Sequence, residues 1–205
     1  GYRISLNLRY RNFMNNLGRF KVIIVASKAL LENYKRVLGG MIDVVYLPPL
    51  IPTNNLSKIR QKDKNTNIFF SGRMTKHRRT VIQELTCCEE ITDIKSTLEM
   101  NIGTEKLQNT IFVDISQEKE RDKYNLTHEL YIGQSSKWIY ASPMRTYRTL
   151  RMGYIPVSDK KYEDEIIEVS ILPNLDDTEV ILEKVYRYNS WAKEIIKETM
   201  NRILR

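Results

Sequence analysis

Predominantly apolar stretches recur along this chain of 205 residues, and segments with apolar residues every three or four positions separate them. Polar residues do not alternate with the apolar ones in these stretches. Such stretches are typical of strands in a parallel sheet that is covered on both of its faces. Strands are predicted at 22–26, 43–47, 67–71, 110–115, 129–133, 137–140, 154–157 and 169–172. With the helical segments between them, they predict an α/β fold, a Rossmann-like parallel sheet with helices on both faces.

Helical patterns fill most of the segments between these strands. Helices are predicted at 2–17, 28–38, 75–85, 89–100, 142–152 and 178–204. Ser27 is placed to cap the second helix, and Gly39-Gly40 ends it. The last segment repeats one apolar face over a length of about 40 Å, if the helix is unbroken.

The helix at 142–152 carries the clearest start and stop signals. Ser142 is a good N-cap residue, and Pro143 follows at the first helical position, where its missing N–H costs nothing. Gly153 stands where a left-handed residue ends a helix. The residues expected to face the sheet are Met144, Tyr147 and Leu150.

The composition of 52–66 is polar and charged, which indicates a linker or an exposed loop. We therefore expect three parts: the last elements of one domain at 1–50, a linker at 51–66 and a second domain at 67–205 that includes the C-terminal helix. The chain begins with Gly rather than Met, and we expect it to be a piece of something longer.

The basic residues are concentrated in the first part of the chain. Residues 1–80 hold 16 Lys and Arg against 3 Asp and Glu, a balance of +13, whereas 81–205 hold 17 against 22, a balance of −5. Such a distribution indicates an anionic partner: nucleotide phosphates, nucleic acid or an anionic membrane face. The alternative is a solvated surface that binds nothing.

The remaining composition narrows the class of protein. The sequence has neither an apolar run long enough for a transmembrane helix nor a signal-peptide core, and its mean hydropathy is −0.44. The two cysteines, Cys87 and Cys88, are adjacent, which favours a reduced pair in a cytosolic protein. We expect a cytoplasmic protein, with peripheral contact at the inner face of the membrane.

The segment 71–79 is the first candidate anion site. Gly72 follows a predicted buried strand and permits close backbone approach. Cations are disfavoured at a helix N-terminus, so their clustering here favours a phosphate or diphosphate between them. The alternative is a basic, solvated loop. The cations are Arg73, Lys76, Arg78 and Arg79.

The helix start at Ser142, Pro143, Met144 and Arg145 is the second candidate anion site. Free N–H groups at a helix start can hold an anion, and an arginine there can add a bidentate contact to phosphate oxygens. Arg148 follows one turn later. The alternative is a well-capped helix with an arginine-rich outer face. Two basic strand ends in one sheet fit a nucleotide diphosphate lying across them.

Three aromatic residues precede the second site and are candidates to pack against a base or a sugar, the alternative being ordinary core: Tyr131, Trp138 and Tyr140. The chain contains neither a P-loop nor a Gly-x-Gly-x-x-Gly motif. Its two histidines, His77 and His128, have no serine or cysteine signature around them. The acidic residues of the second half are interpreted as scattered along helices, so paired carboxylates and metal ligands are not expected.

Three segments resemble the GT-B glycosyltransferases of the group 1 type. Residues 19–27 with 45–49 resemble the end of the N-terminal domain and the interdomain crossing. Residues 68–73 are similar to the first strand and phosphate loop of the C-terminal domain. Residues 142–150 with 153–157 resemble the donor-binding helix and the turn into the next strand. The order and spacing of all three match.

The resemblance implies a nucleotide-diphosphate sugar as donor substrate, no resident cofactor or metal, and a glycan, lipid-linked or protein acceptor. It places Arg73 and Arg78 on the donor diphosphate, with Lys76 as a substitute. Residues 1–50 would then supply the end of the acceptor-side domain, and 67–205 the donor domain.

The sequence departs from the family pattern at one point. Many members that retain the anomeric configuration of the sugar carry two glutamates, eight positions apart. Counted back from Gly153, these positions hold Tyr140 and Arg148 here. Two alternatives therefore stay open beside the transferase. One is a non-catalytic nucleotide- or anion-binding module. The other is a nucleic-acid-binding protein, which is less favoured because the cations do not interleave with a stacking platform.

Overall fold

The computed structural model describes residues 2–60, 68–72, 75–86, 94–97, 126–172 and 174–204. The protein is α/β and Rossmann-like, with parallel strands in each of two sheets. The chain forms two compact units. Unit 1 comprises Gly1–Leu50 with Ser190–Arg205, and unit 2 comprises Ile51–Asn189.

Unit 1 contains two parallel strands with a helix before each of them. Val25 on β1 packs with Leu17, Leu38 and Val44 in a small core. The strands pair in register from Val22 with Asp43. The elements are α1 (Tyr2–Asn16), a 3-10 turn (Leu17–Arg19), β1 (Val22–Val25), α2 (Lys28–Leu38) and β2 (Asp43–Tyr46).

The sequence signals in unit 1 are mostly confirmed. The Ser27 hydroxyl accepts the N–H of Leu30 at the start of α2, and Gly40 adopts a positive φ of 80° after its end. Burial of both faces of β1 was expected and is wrong, because the side chain of Ile24 is 52% exposed.

Unit 2 is built on five parallel strands in the order β4-β3-β5-β6-β7. The long helix α6 runs from this unit into the part of the chain assigned to unit 1. The elements are α3 (Leu56–Arg60), β3 (Ile68–Ser71), α4 (Lys76–Thr86), β4 (Ile94–Thr97), β5 (His128–Tyr131), α5 (Pro143–Arg151), β6 (Ile155–Ser158), β7 (Ser170–Ile171) and α6 (Thr178–Ile203).

The strand order reverses between β3 and β5. From β3 the chain moves to one side, to β4, and from β5 it moves to the other side, to β6 and β7. With the right-handed crossovers usual for parallel strands, α4 and α5 would therefore cover opposite faces. In sheets of this type, ligands bind at the reversal, outside the carboxyl ends of the strands.

Three predictions of secondary structure in unit 2 are wrong. The segment 94–97 is a strand rather than part of a helix at 89–100. Residues 56–60 are helical rather than an exposed loop, and Leu56 and Ile59 are each 2% exposed. The strand predicted at 110–115 lies outside the described residues. Of 137–140, Tyr140 forms a single bridge with Glu163 rather than a strand.

Helix α5 begins and ends where the sequence predicts, but its buried face differs. Pro143 occupies the first turn and Gly153 has a φ of 79°. The Ser142 side chain forms no cap hydrogen bond, so the N-cap position is confirmed without its capping contact. Met144 is 50% exposed and does not face the sheet. The buried residues of the helix are Pro143, Thr146, Thr149 and Leu150.

The formal charge is divided unequally between the units. Unit 1 holds 12 Lys and Arg against 4 Asp and Glu, which accounts for the whole net charge of +8, and unit 2 holds 21 of each. Among the described residues, no helix is both long and apolar enough to cross a membrane.

Candidate anion-binding cleft

An open cleft of about 420 Å³ lies in unit 2 at the carboxyl ends of β3 and β5, next to the start of α5. Of the described residues that line it, three are arginines and none is acidic, so the cleft is suited to an anion. The lining residues are Arg78, Tyr131, Gln134, Trp138, Ser142, Met144, Arg145 and Arg148.

A buried carboxylate on β5, that of Glu129, lies beside these arginines. It is 3% exposed and accepts hydrogen bonds from the hydroxyls of Ser71 and Thr149, the latter at 2.6 Å. Arg148 donates to it at 2.8 Å, and a guanidinium nitrogen of Arg145 lies 3.5 Å away. A buried carboxylate needs such partners, since an unpaired charge in the interior costs several kcal/mol. Glu129 therefore fixes the position of two arginines on α5.

Arg145 connects the strand ends to the cleft. Its guanidinium donates to the carbonyl of Ser71 and, at 3.4 Å, to that of Leu130. The group lies over the rings of Phe70 and Tyr131, 5.6 and 5.2 Å from their centroids. Burial lowers the pKa of Arg145, and the charge of Glu129 opposes that shift. Its buried Nε has no hydrogen-bond partner among the described residues.

Arg78 is the third cation and is held from α4. Its Nε donates to the carbonyls of Ile132, at 2.9 Å, and Gly133, at 3.2 Å, beyond the end of β5. The side chain is buried and lies 5.2 Å from the centroid of the Phe70 ring. Burial lowers the pKa of this guanidinium as well. Keeping this guanidinium charged in a buried position costs free energy, and a bound anion would offset that cost.

Gly72 lies between Arg78 and Arg145. A Cβ on Gly72 would lie 3.6 Å from a guanidinium nitrogen of each, and the backbone has a φ of 143°, which L-residues rarely adopt. Glycine thus keeps the space between the two cations clear. With Arg148 included, three guanidinium groups lie near two carboxylates: Glu129 contacts Arg145 and Arg148, and the charge of Asp159 acts on Arg78.

An aromatic wall, made by Tyr131 and Trp138, borders the arginines. The Tyr131 hydroxyl and the Trp138 indole N–H both donate to the carbonyl of Tyr140, at 2.9 and 2.6 Å. Tyr162 packs edge-on against Tyr131, with ring centroids 4.7 Å apart. Its hydroxyl donates to Asp159 at 2.7 Å and accepts the N–H of Gly133 at 2.8 Å.

The structure brings together most of the residues predicted from the sequence. The start of α5, Arg78 and Arg148 meet at the cleft, and Gly72 lies beside them. Pro143 is buried within the first turn of α5. Lys76 is exposed and does not line the cleft. The side chain of Tyr140 does not line it either, although its carbonyl holds the aromatic wall. Arg73 lies outside the described residues.

Sequence reasoning missed Glu129 and its partner Thr149. The interpretation that the acidic residues lie along helices is wrong for Glu129, which is in the middle of a buried strand. The available signal was a carboxylate within an otherwise largely apolar strand, followed by an arginine-rich helix start. Within the described part of the chain, no group of three His, Cys, Asp or Glu residues is placed to bind a metal ion.

The chain was compared with models of known protein families and with curated proteins, and neither comparison gives a match.

Proposed function

We propose that unit 2 is the donor-binding part of a GT-B-type glycosyltransferase and that its cleft binds the diphosphate of a nucleotide sugar. The observation that supports this most directly is the convergence of Arg78, Arg145 and Arg148 at the point where the strand order reverses. Three convergent guanidinium groups and a wall of aromatic rings match a diphosphate that carries an organic group.

In the proposed reaction, the bond between the sugar's anomeric carbon and the diphosphate oxygen breaks, the oxygen of an acceptor hydroxyl forms a bond to that carbon, and the hydroxyl proton is released. The departing nucleoside diphosphate gains negative charge as that bond breaks. Preorganised cations stabilise such charge most effectively where water is excluded, and the arginines would do so without requiring a metal ion. The N-terminus of α5 adds to the same field.

Tyr140 and Arg148 stand at the positions where many retaining members carry glutamates. Arg148 is bound to Glu129, and Tyr140 uses its carbonyl to hold the aromatic wall. The proposal therefore concerns donor binding and leaving-group stabilisation, and it assigns no stereochemistry. The same observation favours a second candidate function, a nucleotide-binding module without transfer activity.

Isothermal titration with UDP, GDP, ADP and CMP tests the proposal. Arg148 is the residue to change, because its side chain is 48% exposed, whereas Arg145 supports the strand ends. The matched control is Arg151→Ala, an exposed arginine at the end of the same helix. We expect at least one nucleoside diphosphate to bind and Arg148→Ala to weaken it by about 1.5–3 kcal/mol.

Equal losses in the two variants, or no binding by any diphosphate, would contradict the proposed site. Donor hydrolysis distinguishes the two candidate functions. Nucleotide binding without hydrolysis or transfer, measured with several sugar nucleotides and the full-length protein, would favour the module.

A further inference from the structure

We propose that the base of the bound nucleotide stacks on Trp138 and that the cleft recognises this ring by its face rather than by its hydrogen-bonding edge. This inference rests on the proposed function, since it places the base of a nucleotide whose diphosphate is bound by the arginines. It adds a ligand subsite and a specificity: purine and pyrimidine nucleotides bind with similar affinity.

The indole ring is both exposed and held in place. Trp138 is 42% exposed and lines the cleft together with Tyr131 and Met144. The indole N–H is bound to the Tyr140 carbonyl, as is the hydroxyl of Tyr131. Neither aromatic residue therefore has a free donor in the cleft, and the exposed indole of Trp138 offers a ring surface to a ligand.

The backbone around Trp138 fixes this position. A Cβ on Gly133 would lie 2.9 Å from the Cβ of Trp138 and 3.2 Å from the Tyr162 hydroxyl, so only glycine fits without a shift. The N–H of Trp138 donates to the carbonyl of Ser135 at 3.0 Å and closes a tight turn. Because the ring is already placed, a stacked ligand would bind without the cost of ordering that side chain.

In the described part of the cleft, few side chains are available to read the edge of a base. Among the described residues, the polar side chains that line it apart from the arginines and the aromatic rings are Gln134 and Ser142. Strong discrimination between bases requires several buried donors and acceptors that remain unpaired with the wrong base. Stacking on an aromatic ring tolerates every base and strengthens binding by about 5- to 150-fold.

Intrinsic fluorescence offers a direct test, because the chain has two tryptophans. In a Trp191→Phe background, Trp138 is the sole tryptophan. UDP, ADP and inorganic pyrophosphate are titrated into this protein, and affinity is measured in parallel by calorimetry. We expect UDP and ADP to quench the emission, pyrophosphate to bind with little quenching, and the two nucleotides to differ in affinity by less than about 10-fold.

Two substitutions in the same background separate stacking from structure. Trp138→Ala should weaken UDP and ADP by about 5- to 150-fold and leave pyrophosphate affinity nearly unchanged. Trp138→Phe keeps a ring face and loses the indole N–H, so it should retain most of the nucleotide affinity. The quenching data and the Phe variant still decide the question if the Ala variant does not fold.

Three outcomes would overturn the inference. An equal loss of pyrophosphate affinity in Trp138→Ala would make Trp138 a structural residue. A preference for one base above about 100-fold would indicate edge recognition. If pyrophosphate binds as tightly as UDP and ADP, the base adds no affinity. That result would exclude stacking and would leave the arginine site intact. If no diphosphate binds at all, the proposed function itself fails.

Discussion

The carboxylate of Glu129 on β5 lies 2.8 Å from a guanidinium nitrogen of Arg148 on α5, and the glutamate side chain is only 2% exposed. Removal of the carboxylate would leave Arg145 and Arg148 without their internal counter-charge. We expect Glu129→Gln to lower the free energy of unfolding by about 2–3 kcal/mol, since breaking a buried pair is more costly than losing an exposed one.

Urea unfolding at pH 7 measures this loss. Glu183→Gln is the matched control, because Glu183 pairs with Arg187 where the two side chains are 71% and 75% exposed. The control should change the free energy of unfolding by less than about 1 kcal/mol. Equal effects of the two substitutions would show that Glu129 has no special structural role.

The backbone at Gly72 gives a second prediction. Gly72→Ala should lower stability by about 1–3 kcal/mol, because an L-residue is strained at a φ of 143°. The new methyl group would also enter the space between Arg78 and Arg145 and weaken UDP binding. Gly18→Ala is the control, since no atom lies within 4 Å of a Cβ there. Unchanged UDP affinity in Gly72→Ala would place the diphosphate elsewhere.

The Tyr162 hydroxyl supports the loop that carries Trp138. Tyr162→Phe removes the acceptor of the Gly133 N–H and the donor to Asp159. We expect a loss of about 1–3 kcal/mol in the free energy of unfolding, the usual cost of an unsatisfied buried polar group. Tyr186→Phe, at a side chain that is 52% exposed, should change it little. A thermal melt that is identical for the two variants would contradict this prediction.

Glu165 predicts a dependence of stability on pH. Burial raises its pKa from 4.5 to about 7, although backbone N–H groups, including that of Val169, oppose the shift. Between these values, the folded state holds a proton that the unfolded state releases. Its contribution to stability is therefore complete below about 4.5 and is lost as the pH rises to about 7.

Glu165→Gln should remove that slope and stabilise the protein at pH 8. Because solvent still reaches the carboxyl group, we expect a gain of about 1–2 kcal/mol. Unfolding free energies measured between pH 4 and 8 provide the test, with the exposed Glu163→Gln as control. A slope that persists in Glu165→Gln would assign the pH dependence to another group.

Local signals in the sequence predicted most of the described strands and helices. Apolar runs such as Ile68–Ser71 favour burial in a sheet, and Pro143 with Gly153 limits α5 to one segment. Whether a strand is buried and where a helix ends both depend on residues that are neighbours in the chain. A single sequence is therefore enough to predict them.

Features that depend on distant residues were not predictable in the same way. Strand β4 contains Ile94 and Thr97, whose branched side chains suit a strand, yet it depends on pairing with β3. The buried face of α5 was assigned to apolar residues, whereas Thr149 faces inward to donate to Glu129. That carboxylate is 58 positions from Ser71, and no local pattern relates the two.

The arginines at the cleft also bind the protein's own backbone. Arg145 donates to the carbonyl of Ser71 at the end of β3, and Arg78 donates to the carbonyls of Ile132 and Gly133 just beyond the end of β5. A guanidinium can do so because its five N–H groups point in fixed directions. A lysine at either position would keep the charge and lose the geometry. We therefore expect lysine to replace Arg148 with little harm and to be poorly tolerated at 78 and 145, although all three residues carry the same charge.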